Sequence, residues 1–376
     1  MLDGVILSLL AGPGVVFPVP AEVIGALQRA TVSTSTAVDS GFELTFGVSA
    51  GSPVLATFLL AGSSLPPILR VVLAVTVNGI EEVLIDGVVT RHQMASGAGG
   101  GMVLTLQGTD LTALMSWDLV STEGVPFVGM PPEARVALLL AKYAVLGITP
   151  IVIPSVLLDV PIPTHHIPVQ QGNDLEYIRG LAEEVGYVFY IDPGPTPGRS
   201  RAYWGPEIKV GPAQPALTLD MGVAQNVESL QFSVDGEKKR LPVVWYHNEL
   251  TKAPIPIPIP DITPLSPPLG LVPPIPRGVT HLVGTGRLSP VRSALIGLAL
   301  AARNSEAVFA DGALDVARYG RVLKARQLAG VRGAGAPFDG LYYVSAVTHH
   351  IERGSYRQDF KLSRNGLLST VRAVPA

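Results

Sequence analysis

The sequence predicts a mainly β protein with an α+β insert, built as two small antiparallel β-barrels joined by an α+β segment. Apolar and polar residues alternate before about residue 115 and again after about residue 226, as in strands with one buried face. Between these regions the apolar period changes to that of helices. Glycine-containing turn pairs separate the alternating runs, which is typical of hairpin-connected strands.

The first β region contains a strand whose apolar residues share one face: Phe42, Leu44, Phe46 and Val48. Two further runs, 70–77 and 82–89, flank Asn78-Gly79, a pair suited to the positive φ angles of a tight hairpin turn. A glycine-rich loop then precedes an alternating strand over 102–106. Together these runs predict a small β-barrel or sandwich.

The middle segment is predicted to contain two helices and a strand. Pro131-Pro132 begins the first helix, and Gly147 ends it in the left-handed conformation. Asn173 is positioned to cap the second helix, which ends at Gly186. The aromatic and β-branched run Tyr187–Ile191 then predicts a strand.

The second β region begins with an alternating run over 228–234, after which Asp235-Gly236 is expected to turn the chain into a strand over 241–246. Repeated Ile-Pro pairs in Pro254–Pro276 remove backbone donors, so this insert is predicted to be extended and excluded from inner strands. The last strands are predicted in two runs, 314–331 and 341–364.

A weak internal similarity relates the two β regions. The segment Leu84–His92 resembles Phe338–His350, because each contains an Asp-Gly pair followed by Val-Thr and histidine. Each segment also precedes a hairpin loop and another alternating strand. Duplication of one β unit and chance similarity both remain open at this stage.

The composition indicates a surface that contacts other subunits. Of the 376 residues, 47% are hydrophobic and 15% are charged, whereas soluble domains carry about 25% charged residues. Exposed apolar area is costly in water, so such a chain is expected to enter a membrane or to bury surface against partners. The apolar run Val5–Val16 is interrupted by Gly12, Pro13 and Gly14 and is too short to span a bilayer. We therefore expect no membrane span.

Charge and cysteine content exclude several classes of function. With 27 basic and 30 acidic residues the net charge is -3, which gives no general attraction to nucleic acid. Cysteine is absent, so disulfides, thiolate nucleophiles and cysteine-ligated zinc are excluded. The sequence predicts no cofactor and no metal site.

Two patterns that resemble catalytic or metal sites are better explained as structural features. Gly47–Gly51 matches the G-x-S-x-G motif around Ser49, but no alternating βα pattern precedes it, as a hydrolase elbow requires. The pairs His165-His166 and His349-His350 are adjacent residues, which point to opposite faces of a strand. We interpret Ser49 as a loop residue and the histidines as structural or solvent-facing, and we predict that the protein is not an enzyme.

Three segments resemble a known family of assembly proteins. Gln170–Tyr190 resembles the helix and strand signature of the phage late-control protein D baseplate hubs. Asp339–His349 and Gly354–Gly366 resemble the closing strands of those hubs and of the N-terminal part of type VI secretion spike proteins. With the order of β, α+β and split β regions, the resemblance covers most of the chain.

The resemblance implies a hub-type ring subunit that adapts a hexameric tail tube to a trimeric spike. Its implied partners are two further copies in a homotrimer, a tail tube protein, a separate spike protein and baseplate wedge components, with no specific nucleic-acid binding. The implied location is the tail or baseplate of a virion or injection particle, assembled in the bacterial cytoplasm. The sequence ends at Ala376 without a spike domain, so the spike is expected on another chain. Phage, bacteriocin and extracellular injection system all remain open.

This resemblance also implies the domain boundaries. Residues 1–120 are predicted to form a first tube-like β-barrel with an N-terminal arm, and residues 121–220 an α+β segment. The second β-barrel is predicted over 221–376, split by the proline-rich insert at 251–278 and by a helix at 289–304 that Ser289-Pro290 begins.

Two other functions compete with a structural hub. Trp204, Tyr203 and Trp245 would suit an aromatic platform in a β-rich carbohydrate- or protein-binding module. A serine hydrolase using Ser49 is the more distant alternative. Oligomeric state distinguishes the hub from the binding module.

The proline-rich insert is predicted to contact a partner. It is apolar and stiff, so docking it costs little conformational entropy. Its candidate contact residues are Ile255, Ile257, Ile259, Leu265, Leu269, Leu271 and Ile275. The alternative is that the insert covers a strand edge of its own subunit.

Overall fold

The structure is a computed structural model of the 376-residue chain. It describes residues 4–49, 51–60, 68–96, 101–117, 122–155, 167–236, 240–247, 254–259, 267–282, 293, 296–298, 300–301, 305–372 and 374.

Strands dominate the described chain, and short helices lie between them. The strands are β1 (Val5–Gly12), β2 (Phe17–Pro18), β3 (Leu27–Ser35), β4 (Gly41–Val48), β5 (Arg70–Val77), β6 (Ile80–Ser96), β7 (Met102–Asp110), β8 (Ile148–Val152), β9 (Val188–Pro193), β10 (Ser200–Gly205), β11 (Gln214–Thr218), β12 (Ser229–Val234), β13 (Arg240–His247), β14 (Pro254–Pro258), β15 (Gly270–Val272), β16 (Gly278–Leu282), β17 (Val308–Asp315), β18 (Leu328–Arg332), β19 (Gly340–Glu352), β20 (Ser355–Arg364) and β21 (Leu367–Ser369). The α-helices are α1 (Ala21–Ala26), α2 (Pro53–Leu55), α3 (Ala113–Ser116), α4 (Pro132–Ala141), α5 (Asp174–Glu184) and α6 (Val316–Tyr319).

One large sheet joins both β regions. Among the described residues it has 13 strands, in the order β12-β17-β20-β19-β3-β4-β7-β6-β5-β1-β2, with β18 and β11 attached beside β19. The mainly β fold class is thus confirmed. The segment expected to form an N-terminal arm is strand β1, which pairs in full with β5.

The first β region follows its sequence pattern closely. In β4 the residues Phe42, Leu44, Phe46 and Val48 are buried, and the residues between them are half-buried. Asn78 and Gly79 have φ angles of 50° and 81°, so both central residues of the β5–β6 turn are left-handed, as predicted. Alternation therefore predicted both the strand and the face that it buries.

The α+β segment packs two helices against the three-stranded sheet β8-β10-β9. The side chain of Asn173 caps α5 by accepting a hydrogen bond from the backbone N–H of Glu176 at 2.9 Å. Gly147 has the predicted left-handed conformation, with a φ angle of 77°, but it ends a separate 3₁₀ turn at Ala144–Leu146, because α4 already ends at Ala141. Gly186, which follows α5, has a φ angle of 72°.

The second β region departs from the sequence prediction in two places. Strand β13 does not pair with β12 after the Asp235-Gly236 turn, but lies between β14 and β16 in a separate sheet. The run 314–331 is not one strand, because Asp315 caps the short helix α6 and a loop follows before β18. Asp315 accepts from the backbone N–H of Arg318 at 3.0 Å, a local bond that competes with strand pairing.

The predicted helix at 289–304 lies mostly outside the described residues. Those of its residues that the structure describes as helical are 293, 296–298 and 300–301. Ala301 packs in a small apolar cluster with Val244 of β13 and Ile259.

A buried ion pair attaches the α+β segment to the first β region. The guanidinium of Arg70 on β5 donates to both carboxylate oxygens of Asp86 on β6, at 2.7 and 2.6 Å, and both side chains are almost completely buried. Arg70 also donates to the carbonyl oxygens of Leu146 and Gly198 of the α+β segment, and Ser200 donates to Asp86 at 2.8 Å. The pair itself lies within the first β region, and a translated or rotated α+β segment would lose the bonds of Arg70 to Leu146 and Gly198 and that of Ser200 to Asp86.

The first prediction concerns this ion pair. Arg70→Met leaves the Asp86 carboxylate buried without its cation, so we expect a loss of about 3–5 kcal/mol in the free energy of unfolding. Urea denaturation measures the loss. The control is Arg29→Met, which removes an exposed pair with Glu352 and should cost about 0–1 kcal/mol. Equal costs for the two variants would contradict the structural role given to Arg70.

Candidate functional site

The large sheet consists of two β units that share one strand order. Among the described strands, the first unit has the order β1-β5-β6-β7-β4-β3, and the second has the order β11-β18-β19-β20-β17-β12. Numbered along the chain within each unit, both orders read first, fourth, fifth, sixth, third, second. Four of the five pairings are antiparallel in both units, whereas β1 is antiparallel to β5 and β11 is parallel to β18. An identical order of this complexity supports duplication.

The long strands β6 and β19 occupy equivalent places in the two units. Each is bent by a bulge, at Thr90 in β6 and at Ser345 in β19, where the ladder to the next strand shifts its register. The sequence similarity between 84–92 and 338–350 thus relates equivalent strands. The structure corrects its alignment, because Thr90 corresponds to Ser345 and not to Thr348.

A seam of strand pairing joins the two β units within the chain. Strand β3 of the first unit is antiparallel to the second half of β19, from the pair Ser35 and Ala346 to the pair Arg29 and Glu352. Side chains reinforce the backbone ladder: the hydroxyls of Ser33 and Thr348 are 3.3 Å apart, and Arg29 donates to Glu352 at 2.7 Å. The seam makes one continuous sheet and one apolar core from two units.

His349 lies buried in this seam on the core side of β19. Its Nδ1 is 2.8 Å from the hydroxyl of Tyr356 and 3.3 Å from Nε2 of Gln358. Burial lowers the pKa of His349 to about 3, and the neighbouring His350 acts in the same direction. The seam therefore holds a neutral histidine.

Arg326 ties the seam to the α+β segment. Its guanidinium donates to the carbonyl oxygen of Ser35 at 2.7 Å, pairs with the carboxylate of Asp192, and lies 4.2 Å from the ring centre of Tyr190. These residues border an open cavity of about 700 Å³ lined by the 35–39 loop and by residues of α5 and β9. Charged side chains that line the cavity form ion pairs, such as Lys209 with Glu306. Such pairs are consistent with a structural contact between the seam and the α+β segment.

Among the open strand edges of the described chain are one on β6 and one on β12. Residues 91–96 of β6 pair with β7 on one side, and no described strand pairs with their other side. Strand β12 pairs with β17 on one side, and no described strand pairs with its other side either. Unpaired edges present backbone donors and acceptors to any strand that fits them.

The candidate contact residues of the proline-rich insert divide into exposed and buried groups. Strand β14 is an edge strand on β13, as the proline content requires. The exposed or largely exposed members are Ile255, Ile257, Leu271 and Ile275. Ile259 is buried against Val244 and Ala301, and Leu269 against Leu328 and Tyr343. Leu265 lies outside the described residues.

The structure does not bring the three proposed platform aromatics together. Trp204 is fully buried, with its ring 4.9 Å from that of Tyr187 and its indole N–H donating to the carbonyl of Ile178. Tyr203 stacks on Tyr190 in the same small sheet, whereas Trp245 lies on β13 beside His281. An aromatic platform built on these three residues is therefore wrong.

Ser49 lies on an exposed turn between β4 and α2. Strand β4 is antiparallel to both neighbours, whereas a nucleophile elbow follows a strand of a parallel sheet. No described residue forms a hydrogen bond with the hydroxyl of Ser49. His165 and His166 lie outside the described residues, and within the described ones no group of three metal-ligating side chains occurs.

No helix in the described part of the chain is both long enough and apolar enough to cross a membrane. Exposed apolar residues include Val145 and Val223, which lie in short 3₁₀ turns, and Ile275 of the proline-rich insert.

Solved structures share this arrangement over the length of the chain. The tail protein from Neisseria meningitidis MC58 superposes with a TM-score of 0.61 at 13% identity, over 97% of this chain and 98% of that one. The 43 kDa tail protein of prophage MuSo2 from Shewanella oneidensis gives 0.59 at 12% identity, over 96% and 99%. The chain has the fold of these tail proteins.

A third structure places the same fold inside a larger chain. A chain of the half-lidded PdpA-VgrG complex of Francisella matches with a TM-score of 0.60 at 8% identity, over 100% of this chain and 60% of that one. No protein-family model matches the sequence, and no curated protein matches it. The tail-protein fold is thus retained at identities too low for sequence comparison to detect it.

The second prediction concerns His349 in the seam. Because its folded-state pKa lies below its unfolded value, the unfolded chain binds the proton first, and stability falls as the pH drops from about 6.5 towards 3. Within that window we expect wild-type protein to lose up to about 1.4 kcal/mol more per pH unit than His349→Gln. Urea denaturation between pH 7.5 and pH 4.5 measures the difference. The control His350→Gln, which keeps His349, should follow the wild type; parallel curves for all three proteins would contradict the prediction.

Proposed function

We propose that this protein is a structural baseplate hub of a phage tail or contractile injection system. The observation that carries the proposal is the pair of β units with one strand order, joined by the β3–β19 seam and carrying open edges on β6 and β12. The tail proteins with the same fold support it. The protein acts by assembly and not by catalysis.

Three copies of the chain form a ring in this proposal. Two similar units per copy make six units around the ring, so a trimer presents sixfold pseudosymmetry to a hexameric tail tube and true threefold symmetry to a trimeric spike. Two β units that differ in their inserts suit such an adaptor. Six identical units would give the ring exact sixfold symmetry, so its surface would not match a threefold spike specifically. The domains 1–120 and 221–376, the latter together with β11 just before it, supply the ring units, and the rest of 121–220 packs beside them.

The exposed side of the proline-rich insert contacts a separate spike or baseplate wedge component. Ile255 and Ile257 are about two-fifths exposed and Ile275 is 85% exposed, although the strand that carries the first two is held in place by β13. A preformed extended strand presents these side chains at little entropic cost. The buried members Ile259 and Leu269 anchor the insert to its own subunit.

The particle that holds this hub is assembled in the cytoplasm of the producing bacterium and carries the hub in its tail or baseplate. The open edges and exposed apolar residues give a physical reason for assembly with partners, since both are liabilities in an isolated monomer.

The third prediction tests the hub itself. Light scattering of the purified protein should give the mass of three chains, and co-expression with the tube protein of the same gene cluster should give a tube capped at one end in electron micrographs. A monomer at every concentration, even beside its spike protein, would contradict the proposed hub. A monomer that binds glycans would support the carbohydrate-binding alternative instead.

The fourth prediction tests the insert. Ile255→Ser/Ile257→Ser/Ile275→Ser should leave the trimer and its Tm unchanged, because these side chains are exposed, while the yield of complete particles from producing cells falls at least tenfold. Val145→Ser, which changes an 85% exposed residue of the α+β segment, is the control and should leave the yield unchanged. A lower Tm without loss of particles would assign the insert to the subunit's own fold.

A further inference from the structure

Strand β12 occupies in the second β unit the place that β3 occupies in the first. Each strand pairs on one side with the third strand of its unit, β17 or β4. Matching polar contacts align those strands: Glu43 on β4 faces Gln107 at 2.8 Å, and Asp311 on β17 faces Lys361 at 3.9 Å. The alignment extends residue by residue from these positions to β3 and β12.

The inward side chains of β12 match those of β3 in position but not in burial. Ala30 and Val32 of β3 are completely buried. Their counterparts in β12 are Leu230 and Phe232, which are half-buried. The difference arises because β3 has a strand on both sides, whereas β12 has a described strand on one side.

The second half of β6 is more exposed than the equivalent part of β19. Because the bulges at Thr90 and Ser345 align, residues 91–96 correspond to 346–351. In β19 these residues alternate between buried and half-buried beneath β3. In β6 all six are exposed, and Met94 is 44% exposed. No described strand of the first unit therefore covers residues 91–96 as β3 covers their counterparts in β19.

We propose that β12 of one copy pairs with residues 91–96 of β6 in a second copy of this chain. The pairing is antiparallel and repeats the register of the β3–β19 seam, and it rests on the ring assembly proposed above. The register joins Gln93 with Ser233 and Met94 with Phe232, and it places Arg91 opposite Asp235, the residue that directly follows β12.

The chemistry of these residues suits the register. Arg91 and Asp235 carry opposite charges, which favours a cross-strand pair. Met94 and Phe232 are partly exposed apolar side chains that bury each other. Gln93 and Ser233 replace Thr348 and Ser33, the polar pair on the solvent side of the internal seam. The backbone groups of both open edges gain partners at the same time.

The same pairing explains how three copies close into a ring. A contact between two different surfaces of one chain is head-to-tail, so it forms a ring when successive rotations close and a filament when they do not. The β3–β19 seam sets the rotation between units inside the chain. A seam of the same register between copies repeats that rotation, so internal and external seams alternate around one continuous sheet.

Cysteine cross-linking tests the proposal directly, because the chain has no cysteine. Gln93→Cys/Ser233→Cys places two thiols opposite each other within the span that a disulfide bridges, if the register is right. After mild oxidation, we expect most of the monomer band on a non-reducing gel to shift to dimer and trimer, with nothing larger.

Three kinds of control test whether cross-linking depends on both thiols, on the proposed register and on effective oxidation. The single variants Gln93→Cys and Ser233→Cys should give no ladder. Gln93→Cys/Ser229→Cys moves one thiol by four residues, about 13 Å along the strand, and should also give none. Ser33→Cys/Thr348→Cys should form a bond within one chain, because those hydroxyls lie 3.3 Å apart, and so shows that oxidation works.

The outcomes separate this pairing from the hub on which it rests. Trimers in light scattering without a ladder, or an equal ladder from the shifted pair, would overturn the pairing and leave the hub intact. A ladder that continues beyond trimer would support the pairing and overturn the ring of three. Monomers in solution with no ladder would overturn both.

Discussion

The pairing of β3 with β19 is the constraint on which the rest of the structure depends. It joins the first strand-rich third of the chain to the last, merges their apolar side chains into one core, and defines which edges remain open. Backbone N–H and C=O groups on a strand edge need hydrogen-bond partners. The outer edge of β3 finds them on β19 of the second unit.

The α+β segment is attached to this frame by buried charge rather than by apolar contact alone. Arg70 and Asp86 meet inside the first unit, and the remaining donors and acceptors of the pair are satisfied by Leu146, Gly198 and Ser200. Arg326 makes a second attachment from the loop before β18 to Asp192 and to the end of β3. Buried charges tolerate little displacement, so these contacts specify one position for the segment.

The two units differ in the segments inserted between their shared strands. Equivalent strands carry the same bulge and order, while the proline-rich insert, the small β13 sheet and helix α6 occur in the second unit. Strands β13, β14 and β16 form a sheet of their own and so add to the second unit without entering the shared ladder, whereas α6 packs its Val316 and Tyr319 into the core. The two units thus share one strand order and differ in their inserts.

The sequence by itself determined the strands, turns and caps, because each depends on neighbours along the chain: the alternation of Phe42 to Val48, the Asn78-Gly79 turn and the Asn173 cap were all predicted correctly. It also indicated the related strands β6 and β19, but not their alignment, since a bulge leaves no local sequence signal. Only the tertiary structure decided that β12 and β13 belong to different sheets, that Trp204 is core, and that β3 crosses to β19. Strand partners are chosen by long-range burial and edge matching, and no periodicity along the chain encodes that choice.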